Sequence, residues 1–101
     1  MISGLSKDEF DFLYEKLIRP LKDRGATVFI FGSRAKGTHK KFSDIDILFS
    51  NASDKTIPSN ELYEIVSFFE DSNFPYKIDL VNDTELASSY RASVDREKIE
   101  L

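Results

Sequence analysis

Two aspartates, Asp44 and Asp46, stand two residues apart in the run Ser43-Asp44-Ile45-Asp46. The apolar segment from Ile45 to Phe49 predicts a β-strand, and side chains alternate along a strand, so both carboxylates should project from one face. Neighbouring carboxylates repel each other unless a counter-charge is present. Mg²⁺ supplies such a charge and binds carboxylate oxygens together with substrate phosphates. The spacing therefore indicates metal-dependent phosphate chemistry.

A turn suited to binding phosphate precedes these aspartates. The apolar run from Thr27 to Phe31 predicts a buried strand that Gly32-Ser33 ends, and Gly37 follows about one helical turn later. Glycine lets the backbone approach a phosphate closely, Ser33 offers a hydroxyl, and free N–H groups at a helix start attract anions. Beside the paired carboxylates, this turn favours nucleotidyl or phosphoryl transfer.

A third aspartate lies in the next predicted strand, which runs from Tyr76 to Val81. Ile78 and Leu80 share one face of that strand, so Asp79 projects from the other face. One explanation for an acidic residue in the middle of an apolar strand is that the strand lies at the edge of the sheet and Asp79 faces water. The two aspartates already placed favour a third carboxylate that completes their cluster.

Helical periodicity surrounds these strands. Ser6 and Glu9 have the spacing of a capping box, and Pro20 predicts a kink or break near Arg19 in the helix that follows. Further helices are predicted over about residues 59–71 and 83–98. The resulting fold class is α/β, with a small mixed three-stranded sheet flanked by about four helices, packed mainly on one side. We expect the acids and the Gly-Ser turn to meet at the sheet's open edge.

The composition is that of a folded protein, and we expect a single domain over residues 1–101. Of the 101 residues, 41% are hydrophobic and 13% aromatic. The net charge is −4, so we expect no direct nucleic-acid partner. There is no cysteine, which excludes thiolate metal sites, and no apolar run approaches the ~20 residues that span a bilayer. We expect a cytoplasmic protein without membrane contact.

The combined motif resembles a known signature. Gly32-Ser33, followed by Ser43-Asp44-Ile45-Asp46, with Gly32-Ser33-Arg34-Ala35-Lys36-Gly37 between strand and loop, resembles the DNA-polymerase-β-like nucleotidyltransferase superfamily. The chain is most similar to minimal nucleotidyltransferases (MNT), the antitoxins of MNT–HEPN toxin–antitoxin pairs. The resemblance spans about residues 6–100 and implies the polymerase-β-like nucleotidyltransferase fold.

Site residues follow from the motif positions. We expect ATP as substrate and two Mg²⁺ ions, held by the catalytic and metal-binding residues Asp44, Asp46 and Asp79. Two metals can stabilise both the entering and the leaving oxygens of an in-line displacement. Lys36 stands where relatives often carry arginine. The lysine preserves the positive charge but lacks the bidentate geometry of arginine. The expected nucleotide-binding residues are Gly32, Ser33, Arg34, Lys36 and Ser43.

The resemblance implies a specific activity. The chain would be an antitoxin that acts as a protein adenylyltransferase and transfers AMP from ATP to a tyrosine hydroxyl of a cognate HEPN ribonuclease toxin. Two alternatives remain open at this point. One is an antitoxin that masks its partner without chemistry, and the other is a nucleotidyltransferase that acts on a small molecule or on RNA.

Overall fold

Helices and strands alternate along the chain, of which a computed structural model describes residues 2–52 and 54–101. A π-helical turn (Tyr14–Ile18) joins the first two helices, and a 3-10 turn (Asp83–Glu85) precedes the last. In the described residues the helices are α1 (Lys7–Leu13), α2 (Arg19–Asp23), α3 (Ser33–Lys36), α4 (Ser59–Asp71) and α5 (Ser88–Glu97).

The first helical segment begins where the sequence predicts but does not break near Arg19. The Glu9 N–H donates to Ser6 Oγ over 3.1 Å, and the Ser6 N–H donates to Glu9 Oε1 over 2.8 Å, which is the expected capping box. Pro20 lacks the N–H that continues an α-helix. The chain stays helical here, because a π-helical turn in which the Arg19 N–H donates to the Tyr14 carbonyl replaces the predicted break.

The α/β fold class is confirmed, but within the described residues the sheet has four strands rather than the predicted three. The strands are β1 (Thr27–Phe31), β2 (Ile45–Ser50), β3 (Ile78–Asn82) and β4 (Ile99–Glu100). Their order is β3-β2-β1-β4; β1 is antiparallel to β2 and β4, and β2 is parallel to β3. The sequence did not reveal β4, because two paired residues are too few to show a strand period. The predicted last helix ends at Glu97, just before it.

The two faces of the sheet differ in what covers them. One face holds the main core, in which residues of α1, the π-helical turn, α2 and α4 pack on the sheet, as the sequence predicts. Fully buried members of this core are Leu13, Leu17, Ile18, Leu21, Val28, Ile30, Ile45, Ile47 and Phe49. Helix α5 lies over the opposite face, where it buries its Val94. No helix in the described residues is long and apolar enough to cross a membrane.

Candidate functional site

Asp46 and Asp79 are direct neighbours in the sheet. They are paired in register between the parallel strands β2 and β3, and Asp46 is also paired with Phe31 at the end of β1. Residues paired in this way project from the same face. Asp44 immediately precedes β2. Asp46 lies on the inner strand β2, so of the two paired acids only Asp79, on β3, lies at an edge of the sheet.

The three acids influence one another electrostatically. Burial, followed by the negative charges of Asp79 and Asp44, raises the pKa of Asp46 from 3.8 to about 6. A hydrogen bond to Asp79 adds to this rise in pKa, whereas the Arg34 cation opposes it. Ionisation of the Asp46 carboxyl is therefore harder than that of an ordinary aspartate unless a counter-charge is present.

This donor set suits a hard divalent cation. Carboxylate oxygens are the ligands that Mg²⁺ prefers, usually with oxygens from water and substrate phosphate. Within residues 2–52 and 54–101, no group of three or more acidic, histidine or cysteine side chains is already arranged to hold a metal ion. The site thus consists of the Asp46–Asp79 pair with Asp44 beside it, and further ligands must come from outside these side chains.

Gly32, the first residue of the Gly-Ser turn, lies against the Asp46 carboxylate. Its backbone has φ 74° and ψ −156°, a combination that essentially only glycine adopts. A Cβ atom at this position would also collide with Asp46 Oδ2. The Asp46 carboxylate therefore occupies the space that any other side chain at position 32 would need. The Gly32 carbonyl accepts hydrogen bonds from the Ala35 and Lys36 N–H groups over 3.1 and 3.2 Å, which starts α3.

Arg34 is buried, with 2% of its surface exposed. Its Nε and Nη2 donate to the Ser43 carbonyl over 3.0 and 2.9 Å, and its Nη1 donates to the Ser3 carbonyl over 2.9 Å. The guanidinium carbon also lies 4.4 Å from the centre of the Tyr76 ring. The structure thus places Arg34 against the backbone that precedes Asp44, where three of its N–H groups donate to protein carbonyls.

The other predicted nucleotide-binding residues occupy different surroundings. Ser33 is half-buried at the start of α3, and its carbonyl accepts from the Thr38 N–H over 3.0 Å. Ser43 Oγ accepts from the Lys40 N–H over 2.8 Å, so this hydroxyl shapes the loop before β2. Lys36 is exposed, and its Nζ lies 3.8 Å from the Glu97 carboxylate on α5. The cation of Lys36 therefore remains accessible beside the turn.

A cavity that sequence reasoning missed adjoins these residues. It has a volume of about 360 Å³ and lies between α5 and the acid-bearing face, with Gly32 and Asp79 in one wall and Tyr90 in the other. The repeat of Leu86, Tyr90 and Val94 was the available signal, but it does not say which sheet face the helix covers.

The chain has clear relatives among families and structures. The family model described as a nucleotidyltransferase domain matches residues 14–101. No curated protein matches the chain significantly in sequence. A solved minimal nucleotidyltransferase is 26% identical with a TM-score of 0.70, and the match covers 98% of this chain and 99% of that one.

Two toxin–antitoxin complexes are also similar. One, a crystal structure with AMP-PNP, is 25% identical with a TM-score of 0.64 over 85% of this chain and 69% of that chain. The other holds a tri-AMPylated Shewanella oneidensis HEPN toxin with its MNT antitoxin; it is 20% identical, with a TM-score of 0.59 over 89% and 69%. The second likeness concerns the fold alone. The resemblance inferred from the sequence is confirmed.

Replacing Gly32 tests its contact with the acids. We expect Gly32→Ala to lower the free energy of unfolding by about 3 kcal/mol or more, because it combines backbone strain with a collision against Asp46. Gly37→Ala is the matched control, since Gly37 also has a positive φ (76°) but no atom lies within 4 Å of its added Cβ. We expect Gly37→Ala to lower the free energy of unfolding by about 1–2 kcal/mol. Equal losses in urea unfolding would show that Asp46 does not restrict position 32.

Asp46→Asn tests the cost of the paired charges. We expect it to stabilise the metal-free protein at neutral pH by about 1–2 kcal/mol, allowing for partial exposure of the group. Since the folded-state pKa of Asp46 is about 6 against an ordinary 3.8, the gain shrinks as pH falls through 6 and vanishes well below 3.8. Denaturant unfolding in EDTA over pH about 4 to 8 measures this dependence. Asp23→Asn, at an exposed acid away from the site, is the control; a pH-independent gain would contradict the shift.

Proposed function

Because this chain belongs to the nucleotidyltransferase domain family, we propose that it is a cytoplasmic antitoxin that transfers AMP from ATP to a hydroxyl of a partner protein. The observation that carries the proposal is the Asp46–Asp79 pair set against Gly32. It places carboxylates that need a cation directly against the backbone of the glycine turn.

The proposed acceptor is a tyrosine of a cognate HEPN ribonuclease toxin. Similar solved structures are toxin–antitoxin complexes, one of them with AMP-PNP and one with an AMPylated HEPN toxin. The net charge of −4 also disfavours a long nucleic acid as the acceptor. A partner protein therefore fits this chain better than RNA does.

The metal-binding residues are proposed to be Asp44, Asp46 and Asp79, with two Mg²⁺ ions. When bound, such ions supply positive charge to the entering and leaving oxygens of an in-line displacement. The raised pKa of Asp46 supports this assignment, because a bound cation would relieve the repulsion that causes part of the shift.

The proposed reaction also needs a group that accepts the proton of the attacking hydroxyl and groups that bind the phosphates. The attacking hydroxyl oxygen forms a bond to the α-phosphorus, the bond from that phosphorus to the α–β bridging oxygen breaks, and pyrophosphate leaves. Asp79 is exposed beside Asp46 and is placed to accept the proton of the hydroxyl. Gly32 and Ser33 line the approach of the phosphates, and the Lys36 ammonium offsets their charge.

Arg34 takes a different role in this proposal from that of a phosphate ligand. Its donors hold the Ser43 carbonyl, so Arg34 fixes the backbone from which Asp44 projects. Its buried cation also lowers the pKa of Asp46 in part. Arg34 is thus a positioning residue, and Lys36 is the cation that remains for the phosphates.

Intact mass of the HEPN partner, incubated with this protein, ATP and Mg²⁺, tests the proposed function. We expect the partner to gain mass in AMP-sized steps. The variant Asp44→Ala/Asp46→Ala should abolish the gain while the complex still forms, because it removes the metal ligands and leaves the fold. The control Asp23→Ala/Asp71→Ala removes the same number of charges at exposed positions outside the site and should behave as wild type.

Two other results would contradict adenylylation of the partner. No mass gain, with a stable complex that still blocks the toxin, would establish an antitoxin that only masks its partner. Transfer of AMP to a small molecule without any partner would establish the other alternative.

A further inference from the structure

Phe42 has an unfavourable backbone conformation in the loop that leads to Asp44. Its φ of 66° lies in the left-handed region, and among residues 2–52 and 54–101 it is the one residue other than glycine with a positive φ. That region is strained for a residue with so large a side chain. Such strain persists only where the surrounding structure enforces it, and it is concentrated at functional sites.

Hydrogen bonds within the loop before β2 enforce this conformation. The Ser43 N–H donates to the Lys40 carbonyl over 3.0 Å, and the Lys40 N–H donates to Ser43 Oγ over 2.8 Å. Arg34 in turn donates to the Ser43 carbonyl. The turn from Lys40 to Ser43 is therefore held at both ends, with Phe42 inside it. The Phe42 side chain gains little burial from this arrangement, since 62% of the residue is exposed.

Phe42 is the first of five aromatic rings that form a continuous row, called the aromatic row below. The centres of neighbouring rings are 6.4, 5.7, 5.6 and 5.9 Å apart in the order Phe42, Tyr76, Phe74, Phe12 and Phe68. The three middle rings pack against the main core, whereas Phe68 at the far end is 45% exposed. A mostly apolar groove of about 600 Å³ is lined by Phe12, Phe68 and Phe74. The aromatic row thus connects this groove to the loop that carries Asp44.

The charges around Phe42 indicate what kind of surface would cover it. Lys40 and Lys41 are exposed beside it, and Lys41 Nζ lies 5.2 Å from the centre of the Phe42 ring. A complementary surface has an apolar pocket for the ring and acidic groups around that pocket. A nucleic acid suits this region less well, because the exposed acid Asp44 follows two residues later and the net charge of the chain is −4.

We propose that the aromatic row is the surface on which the acceptor protein docks, with Phe42 as the anchor that enters an acid-rimmed apolar pocket of that protein. The inference rests on the proposed function and names the surface that binds its protein substrate. A protein whose hydroxyl reaches the metal-binding acids must also approach the loop that carries Asp44, and Phe42 is the exposed apolar side chain of that loop. Aromatic anchors of this kind commonly dominate the affinity of an interface.

The affinity of the HEPN partner for this protein, measured by biolayer interferometry, tests the docking surface. We expect Phe42→Ala to weaken the complex about thirtyfold, as truncation of an interface anchor does. Phe68→Ala, at the far end of the aromatic row, should weaken it about fivefold. Tyr63→Ala is the control, because it truncates an exposed aromatic residue (73%) on α4 outside the aromatic row, and it should bind as wild type does.

Phe42→Gly separates docking from packing. Glycine adopts a positive φ without strain, so this variant should be at least as stable in urea as wild type and yet bind the partner as weakly as Phe42→Ala. Unchanged partner affinity in both Phe42 variants would overturn the proposal. Weaker binding of a single-stranded RNA oligonucleotide by Phe42→Ala, with partner affinity unchanged, would assign the ring to a nucleic acid and overturn it as well.

The same experiment keeps the docking surface apart from the proposed chemistry. A tight complex that depends on Phe42 but transfers no AMP would contradict the proposed function and leave the docking surface standing. Transfer of AMP to the partner at wild-type affinity in Phe42→Ala would leave the proposed function standing and overturn the docking surface.

Discussion

The repulsion between Asp46 and Asp79 is the constraint on which the site depends. Parallel pairing of β2 with β3 brings these carboxylates side by side, and partial burial denies Asp46 the solvation that would relieve its charge. Hydrophobic residues on the other face of the same strands fix the register, because a one-residue slip would bury the acids and expose the core. The free energy of packing the sheet therefore keeps two mutually repelling carboxylates together, and a bound cation would offset their repulsion.

Several neighbouring features make sense in this light. Gly32 has no side chain because the Asp46 carboxylate fills that space. Arg34 lies buried nearby and lowers the pKa of Asp46, but its donors are bound to the carbonyls of Ser3 and Ser43, so it does not neutralise the pair by direct contact. One fixed cation thus moderates the acidic cluster without replacing a metal ion.

Local sequence patterns predicted the parts of the fold that depend on local periodicity. The strand Thr27–Phe31 and the helix Ser59–Asp71 lie where alternation and helical spacing placed them. The acid pair was also foreseen, because strand alternation fixes the face of Asp46 and Asp79. Local sequence patterns could not predict contacts between residues that are distant in the sequence. The donors of Arg34 reach a carbonyl 31 residues away, at Ser3, and nothing in the run Gly32 to Gly37 indicates this partner. Likewise, β4 is only two residues long, and the side of the sheet that α5 covers depends on tertiary packing.

Titration of the Asp46 carboxyl by ¹³C NMR would probe the paired acids most directly, with Asp46→Asn used to assign its resonance. Without metal we expect a midpoint near 6, well above the ordinary 3.8. Saturating Mg²⁺ should lower that midpoint, since a bound cation stabilises the ionised form. A midpoint near the ordinary value in metal-free protein, unmoved by Mg²⁺, would mean that Asp46 and Asp79 are not a strained pair awaiting a cation, and the metal-dependent chemistry inferred for this site would have to be abandoned.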